Sequence, residues 1–155
     1  MRAADDVVRF FHAVDDRDWR AVRAGLADEV GVDYSSLFGG GPERLAADAL
    51  VARWQGLLPG FDGTQHLLGP LVITAAGDDA TVDANVRGYH HLGGSTWLVA
   101  GRYTLTLRRA DPAWRVAGIV LHTTYQEGDR SLPDQATTRA TDESLDDSRE
   151  DTGAS

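Results

Sequence analysis

Apolar residues in the first part of the chain recur at the spacing of a helix. They follow an i, i+3, i+4, i+7 pattern at Val7, Phe10, Phe11 and Val14. Because this spacing places side chains on one face of a helix, we expect an amphipathic first helix. The polar run of residues 15–18 ends the pattern. We expect a second short helix after it, with Trp19, Val22 and Leu26 on its buried side.

The next segment predicts one short strand and a third helix. Residues 30–34 form the strand candidate, and the three consecutive glycines of residues 39–41 indicate a loop. Pro42 stands where the first residue of a helix is expected. The third helix should then continue to about Leu58, where Pro59-Gly60 stops it.

From residue 65 onward the hydrophobic period changes to two, which is typical of strands with one buried face. Turn residues divide this region into four long strands, at about 65–75, 80–91, 97–108 and 114–126. The first strand is interrupted at Gly69-Pro70, where we expect a bend or bulge. Short turns predict antiparallel pairing, and only the N-terminal helices are available to cover the buried face. The pattern therefore predicts an α+β fold, in which a curved sheet around helices leaves a cavity suited to a ligand.

The end of the chain differs from the rest in charge. We assign residues 1–127 to one domain and residues 128–155 to an acidic tail. From Glu127 onward, nine acidic residues and three arginines contribute −6 of the formal net charge of −9. The tail has few apolar residues that could pack, so we expect it to be disordered.

The composition argues against several classes of protein. The chain has no cysteine, which excludes disulfides and thiolate metal sites. Neither the domain nor the tail has the basic face of a nucleic-acid-binding protein. No apolar run is long enough for a signal peptide or a membrane span, so we expect a cytoplasmic protein without membrane contacts.

Histidines on the predicted strands are the first candidates for chemistry. They are His66 on the first long strand, His90 and His91 on the second, and His122 on the last. A histidine backed by a carboxylate can act as a general acid or base, and Asp15 ends the first helix. Tyr34 can polarise a carbonyl group or hold a water molecule. The histidines form no close H-x-H or H-x₃-H pair, so we expect no metal site.

These residues also have structural interpretations. A strand histidine such as His66 or His122 can be a hydrogen-bonded structural residue without a role in chemistry. Asp15 could cap the second helix, and Tyr34 could belong to the core with its hydroxyl at the rim.

Five short motifs follow one another along the chain. They are Asp15-x-x-Asp18-Trp19, Val32-Asp33-Tyr34-Ser35-Ser36, Thr64-Gln65-His66, Gly88-Tyr89-His90 and Trp114-Arg115-x-Ala117-Gly118. Their order and spacing resemble scytalone dehydratase and, more broadly, the SnoaL-like branch of the nuclear-transport-factor-2-like (NTF2-like) superfamily. The resemblance extends over nearly all of residues 4–127.

The resemblance implies a cone-shaped NTF2-like barrel and chemistry without a metal ion or organic cofactor. In scytalone dehydratase-like enzymes, a strand histidine removes a proton next to a ketone, and a hydroxyl two carbons away leaves as water. His66 matches this histidine. Asp15 matches an aspartate that pairs with a second histidine, and Tyr34 matches one of the tyrosines that orient a water.

The second histidine of this pattern matches either His90 or His91. Counting from His66 without gaps selects His91, whereas strand parity selects His90. We prefer His90, because burial constrains a strand more strictly than loop length does.

The sequence departs from the family pattern at Val14, where a second water-holding tyrosine is expected. Valine has no hydroxyl, so either Tyr89, Tyr103 or Tyr125 replaces it, or the reaction differs from scytalone dehydration. Further candidates for the pocket are His91, His122 and Trp54.

Together, the residues and the resemblance favour a cofactor-free lyase that removes water from a β-hydroxy carbonyl compound, polyketide-like or aromatic. His66 is the expected base, Asp15 with His90 sets the protonation of the site, and Tyr34 stabilises the enolate-like oxygen. Two alternatives stay open: a polyketide-type cyclase or isomerase in the same pocket, and a module that binds small molecules without catalysis. Because the open face of such a sheet usually pairs with another subunit, we expect a homo-oligomer, either a dimer or a trimer.

Overall fold

The computed structural model describes residues 2–152, in which five α-helices accompany a seven-stranded sheet. The helices are α1 (Arg2–Asp16), α2 (Trp19–Ala24), α3 (Ser35–Phe38), α4 (Ala47–Gln55) and α5 (Leu132–Thr152), and a 3₁₀ turn covers Leu58–Gly60. The strands are β1 (Leu26–Asp33), β2 (Glu43–Ala46), β3 (Gly63–Leu68), β4 (Val72–Ala76), β5 (Asp79–Leu92), β6 (Ser95–Ala110) and β7 (Ala113–Gly128). The predicted α+β architecture is confirmed. Residue 1 of the predicted domain and residues 153–155 of the predicted tail lie outside the described residues.

Helix α1 buries the apolar face that the sequence predicted. Phe10 and Phe11 are 4% and 5% exposed and belong to the main core. Helix α2 begins at its own cap, because the carboxylate of Asp18 accepts a hydrogen bond from the backbone N–H of Ala21 (3.1 Å). Asp15 is therefore not needed as the cap of α2. None of the helices within residues 2–152 is long and apolar enough to cross a membrane.

The third predicted helix begins later than expected. The sequence placed its start at Pro42, but residues 43–46 form β2, which pairs antiparallel with β1. This pairing satisfies backbone groups at the edge of β1. Arg44 of β2 also forms an ion pair with Glu29 of β1 (Nε–Oε1 2.8 Å). The helix α4 therefore starts only at Ala47.

The strands follow the order β2-β1-β7-β6-β5-β3, and β4 also pairs with β5. Strands β5, β6 and β7 form the predicted antiparallel meander. Strands β3 and β4 pair with different parts of β5, so the interruption expected at Gly69-Pro70 separates two strands. Strand β1 runs parallel to β7, a pairing that the sequence did not predict. The sheet is mixed and open, with β2 at one edge and β3 and β4 at the other.

A bulge curves the sheet around α1. The register between β6 and β7 shifts between Ala100 and Gly101, and such a shift increases the local twist. A Cβ at Gly101 would lie 2.1 Å from the carbonyl oxygen of His122, so this close approach requires glycine. Helix α1 contacts both β3 and β7, which places it within the curve of the sheet.

The end of the chain differs from the disordered tail that we predicted. Most of it forms α5, whose buried side chains are Leu132, Ala136 and Ala140. A spacing of four residues places them on one face of the helix. Ala136 lies directly against Gly60, where a Cβ would be 1.8 Å from the Ala136 carbonyl oxygen. Small residues on both surfaces allow α5 to dock closely, although Leu132 is its only large buried apolar side chain among residues 132–148.

Candidate active site

A cavity of about 340 Å³ lies between the helices and the sheet. Five aromatic side chains form much of its apolar wall, namely Phe10, Phe11, Phe38, Trp54 and Trp97. Four further rings bring polar atoms to it, namely those of Tyr34, His66, His90 and Tyr103. A cavity of this size and lining is suited to a small-molecule ligand.

Asp15 and His66 form a hydrogen-bonded pair at the cavity wall. Asp15 lies in the last turn of α1, and its Oδ1 is 2.7 Å from Nδ1 of His66 on β3. The two side chains are 14% and 11% exposed. Because an ionised carboxylate only accepts hydrogen bonds, Nδ1 of His66 holds a proton. In the neutral ring, Nε2 is therefore unprotonated and is the basic atom.

This pairing differs from the expected one, in which Asp15 supports His90. Strand β3 holds the carboxylate: Oδ2 of Asp15 accepts the backbone N–H of His66 (2.8 Å), and Oδ1 accepts the hydroxyl of Thr64 (3.2 Å). His90 lies on the neighbouring strand β5 and makes its hydrogen bond elsewhere. The last turn of α1 packs against the edge strand β3, so Asp15 contacts His66 of this strand rather than His90 of β5.

The surroundings of Asp15 favour its ionised form. Burial is the largest single influence and raises the pKa of the carboxyl, whereas the hydrogen bond and the charge of His66 lower it. The backbone N–H of His66 and the Thr64 hydroxyl act in the same direction, so the pKa of Asp15 lies below its ordinary value of 3.8. At neutral pH the carboxylate is ionised, and it fixes His66 in one tautomer and one orientation.

His90 is a buried histidine that stays neutral at neutral pH. It is 7% exposed, and its Nδ1 donates to the carbonyl oxygen of Trp97 (3.1 Å). The ring packs against Trp97 and Phe61, with 4.4 and 5.0 Å between centroids. Burial, assisted by the nearby charge of His66, lowers the pKa of His90 to about 4. Its Nε2 is therefore an unprotonated hydrogen-bond acceptor.

The two imidazoles face each other beside one glycine. Their ring centroids are 6.1 Å apart and their planes nearly perpendicular, at 83°. The register of β3 and β5 causes this arrangement, because His66 lies opposite Gly88 and Thr64 lies opposite His90. A Cβ at Gly88 would lie 3.4 Å from Cε1 of His90 and 3.7 Å from Cδ2 of His66. Glycine therefore leaves space next to both rings.

Two tyrosines add hydroxyl groups to the same wall. Tyr103 is 5% exposed and stacks on Phe11 (5.1 Å between centroids), which in turn contacts the ring of His66 (5.7 Å). Burial raises the pKa of Tyr34 and of Tyr103. Both hydroxyls are therefore protonated at neutral pH and can donate a hydrogen bond to a ligand oxygen.

Tyr103 is also the best placed of the tyrosines that the sequence offered in place of the hydroxyl expected at position 14. Val14 and Tyr103 both line the cavity. Tyr89 does not line it, and Tyr125 is 39% exposed on the outside of the protein. Of the three tyrosines considered from the sequence, only Tyr103 contributes to the described cavity wall.

The other candidate histidines lie outside the cavity. His91 is exposed, and its Nδ1 is 3.0 Å from the hydroxyl oxygen of Thr96. It points away from the cavity because neighbours in a strand face opposite sides, so strand parity selected His90 correctly. His122 is exposed on β7. Tyr89 stacks on His91, at 6.5 Å between centroids, and shares its side of the sheet.

Sequence reasoning missed two charged residues at the mouth of the cavity. Glu43 and Arg53 line the cavity, and their side chains are 49% and 52% exposed. Nη1 of Arg53 lies 2.6 Å from Oε2 of Glu43. No sequence signal distinguished Arg53 from the other arginines, because its position depends on where α4 begins. Among the side chains that the structure describes, no three His, Asp or Glu residues lie together as metal ligands would.

The model of the SnoaL-like domain family matches residues 4–119 of the chain. No curated protein matches this chain. The solved structure of the Kfla4162 protein from Kribbella flavida is similar, with 25% identity and a TM-score of 0.78 over 87% of this chain and 94% of that one.

Two further structures have names that describe a reaction. One is a candidate scytalone dehydratase from Novosphingobium aromaticivorans, with 21% identity and a TM-score of 0.70 over 84% of this chain and 87% of that one. The other is a hexachlorocyclohexane dehydrochlorinase, LinA-type3 from Novosphingobium barchaimii, with 20% identity and a TM-score of 0.63 over 84% and 90% of the two chains. At these identities the likeness establishes a common fold.

Proposed function

The chain belongs to the SnoaL-like family, and on this basis we propose that it is a cofactor-independent lyase that eliminates water from a β-hydroxy carbonyl compound. The observation that supports this most directly is the Asp15–His66 pair, with the ring of His66 at the wall of a largely apolar cavity. A histidine held by a largely buried carboxylate can act as a general base that takes up a proton and returns it at the same nitrogen atom.

The reaction proceeds by proton abstraction and loss of hydroxide. Nε2 of His66 takes the proton from the carbon next to the carbonyl. The electron pair of that C–H bond forms the C=C bond of an enolate, and the π pair of the carbonyl moves to its oxygen. The carbonyl then re-forms, a C=C bond appears, and the C–O bond to the β-hydroxyl breaks. The leaving hydroxide takes the proton from His66, so the products are an unsaturated carbonyl compound, one water and the unchanged enzyme.

The other polar groups of the cavity bind the two oxygens of the substrate. The protonated hydroxyls of Tyr34 and Tyr103 donate to the carbonyl oxygen, whose negative charge grows in the transition state. Neutral His90 accepts a hydrogen bond from the β-hydroxyl at Nε2 and orients the bond that breaks. In an apolar cavity these hydrogen bonds are stronger than they are in water.

The names of the related structures are consistent with an elimination. A dehydratase and a dehydrochlorinase both remove a proton and a leaving group from neighbouring carbons, and they differ in the leaving group. The aromatic rings around the cavity favour a flat, aromatic or polyketide-like substrate.

The first test is the effect of His66→Gln on a panel of aromatic β-hydroxy ketones. Dehydration is followed by the loss of one water from the product mass. Exchange of the α-hydrogen in D₂O, followed by NMR, measures proton abstraction alone. We expect His66→Gln to lower both rates by about 10²–10⁴-fold. The control is His91→Gln, on the outer face of the sheet, which should keep the wild-type rates.

The proposal fails if folded His66→Gln protein keeps wild-type exchange and turnover. Proton exchange that depends on His66, with a product of unchanged mass, would instead indicate ring closure or isomerisation in the same cavity. Absence of both activities, with ligand binding retained, would support a binding module.

A further inference from the structure

The mouth of the cavity combines a cation with an apolar interior. Among the described lining residues, Arg53 and Glu43 are the only Arg, Lys, Asp or Glu side chains. Arg53 follows the short loop of residues 39–41 and β2 in sequence and precedes Trp54, which also lines the cavity. A ligand that fills the aromatic interior therefore passes beside Arg53.

Arg53 has unused hydrogen-bond donors. Its Nη1 donates to Oε2 of Glu43, whereas Nε and Nη2 make no hydrogen bond to residues 2–148, whose side chains the structure describes. These two nitrogens form one edge of the guanidinium group, with two parallel N–H bonds. This edge matches the two oxygens of a carboxylate. The ion pair with Glu43 thus orients Arg53 without occupying the edge that suits an oxyanion.

The electrostatics of the inner wall are compatible with an anionic ligand. The positive charge of Arg53 reaches Tyr34 and works against the rise that burial causes in the pKa of this tyrosine. A single arginine at the rim of an apolar cavity can retain an oxyanion at the water boundary, while the rest of the ligand is desolvated inside.

We propose that Arg53 is the specificity-determining residue of the cavity and that the substrate is an acid with a flat apolar body. Its carboxylate binds to Nε and Nη2 of Arg53, and its reacting carbon lies deeper, beside His66. The position of the reacting carbon beside His66 rests on the proposed lyase function. The binding of the carboxylate to Arg53 does not depend on that function. Glu43 competes with the ligand carboxylate for Arg53 and weakens the binding of every acid.

The experiment compares an aromatic acid with its neutral amide, and 2-naphthoate and 2-naphthamide are a suitable pair. Binding is measured by calorimetry and by intrinsic tryptophan fluorescence, because Trp54 and Trp97 both line the cavity. We expect wild-type protein to prefer the acid. Arg53→Gln should weaken acid binding about tenfold and leave amide binding unchanged, because one charge-assisted contact is lost. Glu43→Gln should strengthen acid binding.

The Arg44–Glu29 ion pair provides a matched control. It has a similar N–O distance, 2.8 Å, but neither residue lines the cavity, so Arg44→Gln should change neither affinity. If Arg53→Gln and Glu43→Gln shift binding in the same direction, the pair is only structural and the inference is wrong. It is also wrong if the acid and the amide lose affinity equally. A failure of the lyase proposal has a different signature, because acid preference would persist in a protein that shows no His66-dependent exchange.

Discussion

At the scale of single residues, the hydrogen bonds to one carboxylate determine the chemistry of the site. Asp15 accepts from the ring and the backbone of His66 and from the hydroxyl of Thr64. The first two contacts fix the carboxylate and the base relative to each other. The third comes from the strand position two residues earlier, on the same side of β3. Thr64 is therefore a positioning residue for the Asp15–His66 pair.

We predict that Thr64→Val lowers the rate of α-hydrogen exchange about three- to tenfold while the protein stays folded. The magnitude corresponds to the loss of one hydrogen bond worth roughly 0.5–1.5 kcal/mol. Thr64→Ser should restore most of the rate, because serine keeps the hydroxyl.

The control for this variant is Thr104→Val. The Thr104 hydroxyl makes a comparable hydrogen bond to Asp83 (2.8 Å), away from the cavity. Equal rate losses in Thr64→Val and Thr104→Val would show that Thr64 has no special role in the site.

At the scale of secondary-structure elements, α5 supports one side of the cavity. It packs against the 3₁₀ turn, whose Leu58 lines the cavity. Phe61 follows the turn and contacts the ring of His90. Arg139 of α5 also forms an ion pair with Asp62, the next residue. A helix distant from the reacting atoms thus fixes the segment on which one of the two imidazoles packs.

We predict that Gly60→Ala destabilises the protein by roughly 1–3 kcal/mol and weakens ligand binding. A Cβ at this position would overlap the backbone of Ala136, so α5 or the turn must move. Urea unfolding measures the stability, and limited proteolysis within α5 measures its detachment.

Gly63→Ala is the matched control, since a Cβ at Gly63 would meet no atom within 4 Å. Its stability should remain near that of the wild type. If Gly60→Ala is as stable as Gly63→Ala, α5 does not dock as closely as the structure indicates.

The sequence predicted the elements with a long, regular period and missed those that depend on tertiary contacts. The spacing of Val7, Phe10, Phe11 and Val14 was sufficient for α1, and strict alternation was sufficient for β5 to β7. Strand β2 and the parallel partner of β1 have no such local signal, because backbone pairing with distant residues decides them. Helix α5 was missed because Ala136 and Gly60 contribute close contact rather than large apolar area.

The site residues that a local strand pattern determines were also predicted, and those that depend on tertiary contacts were missed. Strand parity identified His90 rather than His91, because a side chain's face depends only on its position in the strand. The choice between His66 and His90 as partner of Asp15 depended on where the last turn of α1 meets the sheet. The position of Arg53 depended on β2, which the sequence did not reveal.

At the scale of the whole molecule, the burial of His90 makes folding stability depend on pH. Its pKa is about 4 in the folded protein and near 6.5 in the unfolded chain. Between these values the unfolded chain binds a proton that the folded protein excludes, so stability decreases as pH falls from 6.5 to 4. Asp15 affects stability at lower pH. Because folding lowers the pKa of Asp15, its contribution to the free energy of unfolding is lost only as the pH falls below 3.8, the ordinary pKa of the carboxyl.

We predict that the wild-type protein loses up to about 3 kcal/mol of unfolding free energy between pH 6.5 and 4 through His90. His90→Asn keeps a donor for the Trp97 carbonyl but does not titrate, so its stability should change less over this range. His91→Asn, at an exposed position, should follow the wild type. Urea unfolding at several pH values gives the slopes, and identical slopes for His90→Asn and the wild type would contradict the prediction.

The alternation of β5 has a consequence for quality control in the cell. His90 has the same strand parity as Val82 and Val86, which fill the core. A misfolded chain whose strand slipped by one residue would turn the imidazole and the core side chains outward together. Such a chain would expose apolar surface and be degraded, rather than persist as a stable but inactive protein. A register error that displaces His90 from the cavity therefore also exposes apolar side chains that cellular proteases recognise. We expect nearly every molecule that escapes degradation to have His90 at the cavity wall.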